Sequence, residues 1–132
     1  MLQYMLDTDS VSFALRGHGN VGARLLEHKP SEICISAITL AELRYGADLR
    51  RSKKLHGLIH TFTRDVAVAA FDGAAADHYG VLASSLAHKG TPIGPYDTLI
   101  AAHALALGLT LVTNNARHFD KVSGLKTQNW AQ

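Results

Sequence analysis

The heptapeptide YMLDTDS, residues 4–10, joins a short apolar run to two acids separated by a single threonine. An apolar run bounded by polar residues predicts a buried strand over Tyr4–Leu6. Asp7 then stands where that strand surfaces. Two roles are open for Asp7 and Asp9. Either can cap the next helix by accepting bonds from its free N–H groups, or they can form half of a metal site. Only one of them is needed as a cap.

Working outward, Ile33–Ser36 and Thr110–Thr113 are runs of the same kind, and Val66–Phe71 is a plausible fourth. Their few polar interruptions fit a parallel sheet covered on both faces. Helical spacing lies between them. Val11, Ala14 and Leu15 follow Asp9; Val21, Leu25 and Leu26 follow Asn20; Ile38, Ala41 and Leu43 run toward Gly46. Leu55, Leu58, Ile59 and Phe62 follow Ser52, and Ala74–His88 is a long helix stopped by Lys89-Gly90. Pro95–Leu107 has Pro in its first turn and Gly108 just past its end, the expected asymmetry of a helix. Strands alternating with helices predict an α/β sandwich with a mostly parallel central sheet. Such sheets carry their sites at the carboxyl ends of the strands.

The 132 residues suit one domain, 1–132, with one sizeable core. Hydrophobic residues at 47% predict a globular chain, and a formal charge of +2 is too small to argue for nucleic acid by itself. Cys34 is the only cysteine, which excludes an intrachain disulfide and a Cys-based zinc site. The eight histidines are scattered and show no zinc spacing. No signal peptide is visible, and the most apolar stretch, Leu99 to Val112, is shorter than the roughly 20 residues of a membrane span. A cytoplasmic protein without membrane association is the expectation.

Three further acids or polar clusters fall near strand ends. In ISAITLAELRYG, residues 35–46, Glu42 leaves an otherwise packed surface early in a helix. Thr39 and Glu42 match a capping box, while Ser36 competes as the cap and would leave Glu42 free. In GTPIGPYDTLIAAHALALG, residues 90–108, a loop built from two prolines and two glycines delivers Asp97 to a helix start. A favourable helix-dipole charge is worth only about 0.3–1 kcal/mol and leaves that loop unexplained. His103, six residues on, reads as a buried or edge histidine rather than a ligand. In LTLVTNNARHFD, residues 109–120, Thr113, Asn114 and Asn115 present polar side chains at a strand end, with Asp120 beyond; a plain turn is the alternative. In a doubly covered parallel sheet these positions converge. Carboxylates drawn together repel and tend to protonate. A divalent cation removes that cost, and hard oxygen ligands suit Mg²⁺ or Mn²⁺.

The four blocks YMLDTDS, ISAITLAELRYGA, KGTPIGPYDTLIAAHAL and LVTNNARHF stand in the order and rough spacing of a PIN domain. More narrowly, the chain resembles the VapC-type toxins of type II toxin–antitoxin pairs over essentially its whole length. The resemblance implies a three-layer α/β/α fold and a Mg²⁺-dependent ribonuclease that inhibits translation. It also implies a cognate VapB-type antitoxin that occludes the site, and a homodimer. Structured RNA, with the transfer-RNA anticodon region in front, is the implied substrate. Asp7, Glu42 and Asp97 match the three acids of the family's metal site, with Asp7 and Asp97 expected as direct ligands and Glu42 completing the shell or orienting the attacking water. Thr113 and Asn115 are expected as second contacts to phosphate or metal. Many PIN domains carry a fourth acid where this chain has Asn115, and Asp9 stands where relatives often carry Asn. One or two metals remain open.

RNA also needs a basic approach. RYGADLRRSKKLHG, residues 44–57, supplies Arg44, Arg50, Arg51, Lys53 and Lys54 as candidate phosphate contacts, with a solvated helix end as the alternative. Arg117, His118 and Lys121 are expected to extend that rim. Any base stacking must rely on Tyr45, Tyr96 or Phe119, and core packing is the expectation for Phe119. Two rival readings stay open: a PIN nuclease in another RNA- or DNA-processing role, and a non-catalytic α/β binding domain whose acids are caps. A receiver-like phosphate domain is disfavoured because Thr113-Asn114 stands where a late-strand lysine belongs. No Walker A or G-x-G-x-x-G element supports nucleotide binding.

Overall fold

The computed structural model describes residues Met1–Gln132. Five strands, β1 (Tyr4–Leu6), β2 (Ile33–Ser36), β3 (Ala67–Ala69), β4 (Thr110–Val112) and β5 (Thr127–Gln128), form one sheet in the order β3-β2-β1-β4-β5. Every pairing is parallel. The helices are α1 (Thr8–Arg16), α2 (Val21–Leu25), α3 (Ala37–Leu49), α4 (Lys53–Asp65), α5 (Gly73–His88), α6 (Pro95–Leu107) and α7 (Ala116–Phe119).

The register explains the layering. Met5 lies beside Cys34 and Leu111, and Leu6 beside Ile35 and Val112. Successive strand residues face opposite ways, so these are two rows on two faces. The Met5 row packs with Leu82, Leu86, Ile100, Ala101 and Phe119, from α5, α6 and α7. The Leu6 row packs with Val11, Val21, Leu43, Ile59 and Trp130, chiefly from α1 to α4. The result is three layers, helices on both faces of the sheet. Each large side chain so buried contributes about 1.5–3 kcal/mol. The chain starts in the middle of the sheet, fills one side with β2 and β3, then crosses to β4. The order therefore reverses at β1, and the crevice at its carboxyl end is where an open α/β sheet binds ligands.

Three features differ from the sequence reading. The fourth run shrinks to Ala67–Ala69 because β3 is an edge strand, with Ala67 and Val68 exposed. Thr127–Gln128 adds a fifth, two-residue strand with no apolar run to announce it. Helix α3 continues past Gly46 to Leu49. A mid-helix glycine costs about 1 kcal/mol, and burial of Leu43 and Ala47 on one face outweighs it.

Ser36 settles the capping question in α3. Its Oγ accepts from the Ile38 N–H at 3.0 Å, so Thr39 is not the cap and Glu42 is not in a capping box. The same hydroxyl lies 2.8 Å from His103 Nδ1. Burial lowers the His103 pKa and favours the neutral imidazole, and a hydroxyl donates while it accepts, so Ser36 can give its proton to Nδ1 and still cap Ile38. His103 is a buried structural residue, as its position on α6 predicted. Ser36→Ala removes both bonds and leaves Nδ1 buried without a partner. It is expected to cost about 1–3 kcal/mol, read as a lower urea midpoint at unchanged m-value.

Candidate active site

Asp7 is the residue after β1, and the end of that short strand fixes its backbone against β4 through its N–H to the Val112 carbonyl at 2.9 Å. Its Oδ1 accepts from the Ser10 N–H at 2.9 Å, so Asp7 is the N-cap of α1. Asp9 is not. The cap does not use up the carboxylate: Asp7 also lines a cavity of about 230 Å³ together with Thr8, Asp9, Glu42, Asp97, Asn115 and Phe119. Capping and a ligand-facing role coincide in one side chain.

Each of the other acids is held by a different element. Glu42, on the second turn of α3, accepts a bond from the Thr8 hydroxyl at 2.6 Å. Asp97 sits in the first turn of α6, half-buried. Gly94, at φ 94°, makes the turn into that helix, a backbone region that favours glycine, and Pro95 opens it. Asp97 Oδ2 lies 3.0 Å from His118 Nε2 on α7. The same nitrogen is 2.7 Å from the Ile93 carbonyl, an obligate acceptor. Nε2 therefore carries a proton, and His118 ties both the approach loop and Asp97 to α7.

The electrostatics follow from this crowding. Burial pushes the Asp7 carboxyl up to about 6, against the opposing bonds from Thr113 and Ser10, and Asp9 pushes the same way. Burial also raises Glu42, opposed by Thr8 and reinforced by Asp97 and Asp9. Asp97 is raised by burial and by Asp9, with His118 opposing. No lysine or arginine lines the cavity. Four carboxylates thus face one small volume without a lysine or arginine to balance them. No three His, Cys, Asp or Glu side chains converge around one point; Asp7, Glu42 and Asp97 are each engaged by the protein partner just described. Mg²⁺ typically keeps several waters and takes only one or two carboxylates directly. The oxygen donors and unbalanced charge fit such an ion.

The remaining sequence candidates divide. Asn115 lines the cavity. Thr113 does not: it is fully buried, its Oγ1 accepts from the Asn115 N–H at 3.0 Å, and it bonds to Asp7. It acts by positioning both. Asp120 is exposed and outside the cavity. In the basic segment Arg44 is turned inward, its Nη1 2.8 Å from His56 Nδ1, while His56 Nε2 meets Asp48 Oδ1 at 2.7 Å. Arg50 lines a groove of about 310 Å³ with Thr8, Asp9, Arg16 and Glu42. Arg51, Lys53 and Lys54 are exposed and line neither space. Phe119 is buried in the core, although it borders the cavity. Sequence reasoning passed over Thr8 and Arg16, and it placed His118 on a basic rim rather than against Asp97.

A parallel α/β/α sheet with an acidic cavity at its switch point is the architecture of a PIN domain, and the PIN domain family model matches residues 4–125. The chain belongs to that family, among its VapC ribonucleases. It is 38% identical to a tRNA(fMet)-specific endonuclease VapC of Shigella flexneri, over 99% of this chain and 100% of that one. It is 35% identical to a ribonuclease VapC2 of Haemophilus influenzae, over 98% and 99% of the two chains. Its fold matches a DNA-bound VapBC from Salmonella typhimurium with a TM-score of 0.90 at 39% identity, covering 98% of this chain and 99% of that one. The expected fold class and family hold, and the protein is a VapC-type endoribonuclease. No helix is long and apolar enough to cross a membrane.

Proposed function

We propose that this chain is a Mg²⁺- or Mn²⁺-dependent toxin that cuts structured RNA, transfer RNA first among the candidates, and so blocks translation until a VapB-type antitoxin covers it. The observation that carries the metal requirement is the cavity itself: Asp7, Asp9, Glu42 and Asp97 around about 230 Å³ with no lining lysine or arginine. The name of the Shigella relative supports the choice of transfer RNA, and the Salmonella complex supports a VapB-type partner.

Asp7 and Asp97 would hold the cation, with Glu42 completing the set. A bound divalent cation supplies Lewis acidity at the scissile phosphate and a nucleophile at neutral pH. The chain's own residues do the positioning. Ser10 and Thr113 fix the Asp7 carboxylate, Thr8 fixes Glu42, and His118 fixes Asp97. Asn115 offers an uncharged amide to a phosphate oxygen where a further acid would repel it. With water as nucleophile the 2′-hydroxyl is a spectator, so the fragments carry 5′-phosphate and 3′-hydroxyl ends.

The test is antitoxin-free protein with total bacterial RNA in Mg²⁺ or in EDTA, followed by sequencing of fragment ends. Discrete fragments in Mg²⁺ alone, with 5′-phosphates, are expected. Fragments ending in 2′,3′-cyclic phosphate, or cleavage undiminished in EDTA, would overturn this reading. The phosphate track has its own signature. Arg16→Ala and Arg50→Ala are each expected to weaken RNA binding several-fold and to reduce the slope of log K against log salt by about one. Substituting the inward-facing Arg44 is expected to alter stability and leave that slope unchanged.

A further inference from the structure

We propose that Tyr45 and Tyr96 form a platform on which a base adjoining the scissile phosphate stacks, and that they set which RNA segment is held for cutting. This rests on the ribonuclease reading and adds the nucleobase subsite to it. Thr8 and Glu42 line three neighbouring spaces at once. One is the acidic cavity. The second is the groove holding Arg16 and Arg50. The third is a cleft of about 520 Å³ lined by Thr8, Ala41, Glu42, Tyr45 and Tyr96. Glu42 is the only charged group in that cleft.

A single RNA strand alternates charged phosphates with flat, weakly polar bases. The two spaces that share Thr8 and Glu42 with the acidic cavity divide in the same manner, arginines lining one and tyrosines the other. Tyr45 lies one helical turn beyond Ala41 on α3, and Tyr96 directly precedes the cavity acid Asp97 on α6. Tyr45 is 68% exposed and Tyr96 57% exposed. Scattered surface aromatics need no explanation. Here two from different elements border one cleft that shares Thr8 and Glu42 with the acidic cavity. Aromatic faces in such a position stack bases with little preference among them. Contact through ring faces predicts that phenylalanine replaces tyrosine with little loss.

The test uses the full chain and an RNA hairpin containing its mapped cut site. Tyr45→Ala and Tyr96→Ala are expected to raise KM about 5- to 100-fold each while kcat changes little, and Tyr→Phe at either position to stay near wild type. In the inactive Asp7→Asn background, 2-aminopurine placed beside the cut should be quenched on binding. The quench should persist with Phe and vanish with Ala. Unchanged KM and unchanged quenching in the double alanine variant would overturn the proposal while leaving the ribonuclease reading intact. So would a double variant that sediments as a smaller species with wild-type KM, which would assign the tyrosines to contact with a second copy of this chain. A wild-type protein that cuts no RNA would remove the reading and the platform together.

Discussion

Asp7→Asn is expected to lower RNA cleavage by about 10³-fold or more and, at the same time, to raise the thermal stability of the metal-free protein. A loss of that size corresponds to roughly 4 kcal/mol of transition-state stabilisation. It follows from removing the charge that faces the cavity from the end of β1. The stability gain follows from the same charge. Asp7 is only 4% exposed, and burial raises its carboxyl from 3.8 to about 6. The folded state therefore binds this proton more tightly than the unfolded state does. Between pH 3.8 and about 6 the stability it contributes falls as pH rises, and above about 6 the ionised group is a net cost. Two pKa units set an upper bound of about 3 kcal/mol on that cost. Asn keeps the acceptor that caps α1, since Asn and Asp cap about equally well. The substitution thus deletes the charge and spares the cap. A Tm several degrees above wild type is expected in EDTA at pH 7.5. Loss of activity with a lowered Tm would instead mean that the folded protein stabilises the ionised Asp7 carboxylate, against the burial argument.

This coupling also shows where sequence reasoning succeeds and where it stops. The strands at Tyr4–Leu6 and Ile33–Ser36 were legible because central parallel strands are buried on both faces and must be written in apolar residues. Thr127–Gln128 was not, because an edge strand of two residues needs no such run. The strand-end rule located Asp7 and the helix after the Pro-Gly loop located Asp97, both from local pattern. Cap and site looked like alternatives for Asp7 because sequence cannot show that one oxygen accepts from Ser10 while the carboxylate still borders a cavity. The roles of Thr8 and His118 escape sequence reasoning for a related reason. Thr8 reaches Glu42 across 34 positions, and His118 meets Asp97 from another helix. Neither contact leaves a periodicity. Arg44 looked like its basic neighbours until helix packing turned it toward His56.

Cleavage by the wild-type protein is expected to fall about tenfold for each pH unit below about 6 at fixed, subsaturating Mg²⁺. The cation needs deprotonated ligands, so its affinity tracks the ionised fraction of the cavity acids. Asp7 alone gives the tenfold slope once pH is below about 6. Glu42 and Asp97 are raised too, by burial first, with mutual repulsion involving Asp97 and Asp9 adding to it. Their titration steepens the profile. Saturating metal competes with the protons and is expected to shift the whole profile to lower pH. The Asp7 contribution to metal-free stability moves in the opposite direction, rising as pH falls from about 6 toward 3.8, while buried His103, whose pKa is lowered, contributes the reverse, so unfolding is followed separately from activity. Circular dichroism at each pH separates the two. In the same series Mg²⁺ should raise the Tm of wild type near pH 7.5 by an amount that grows with the logarithm of its concentration. That increment should shrink on acidification and be absent from Asp7→Asn/Asp97→Asn. A flat activity profile from pH 7.5 to 5, or an equal Mg²⁺ increment in the double variant, would place the catalytic cation away from Asp7 and Asp97.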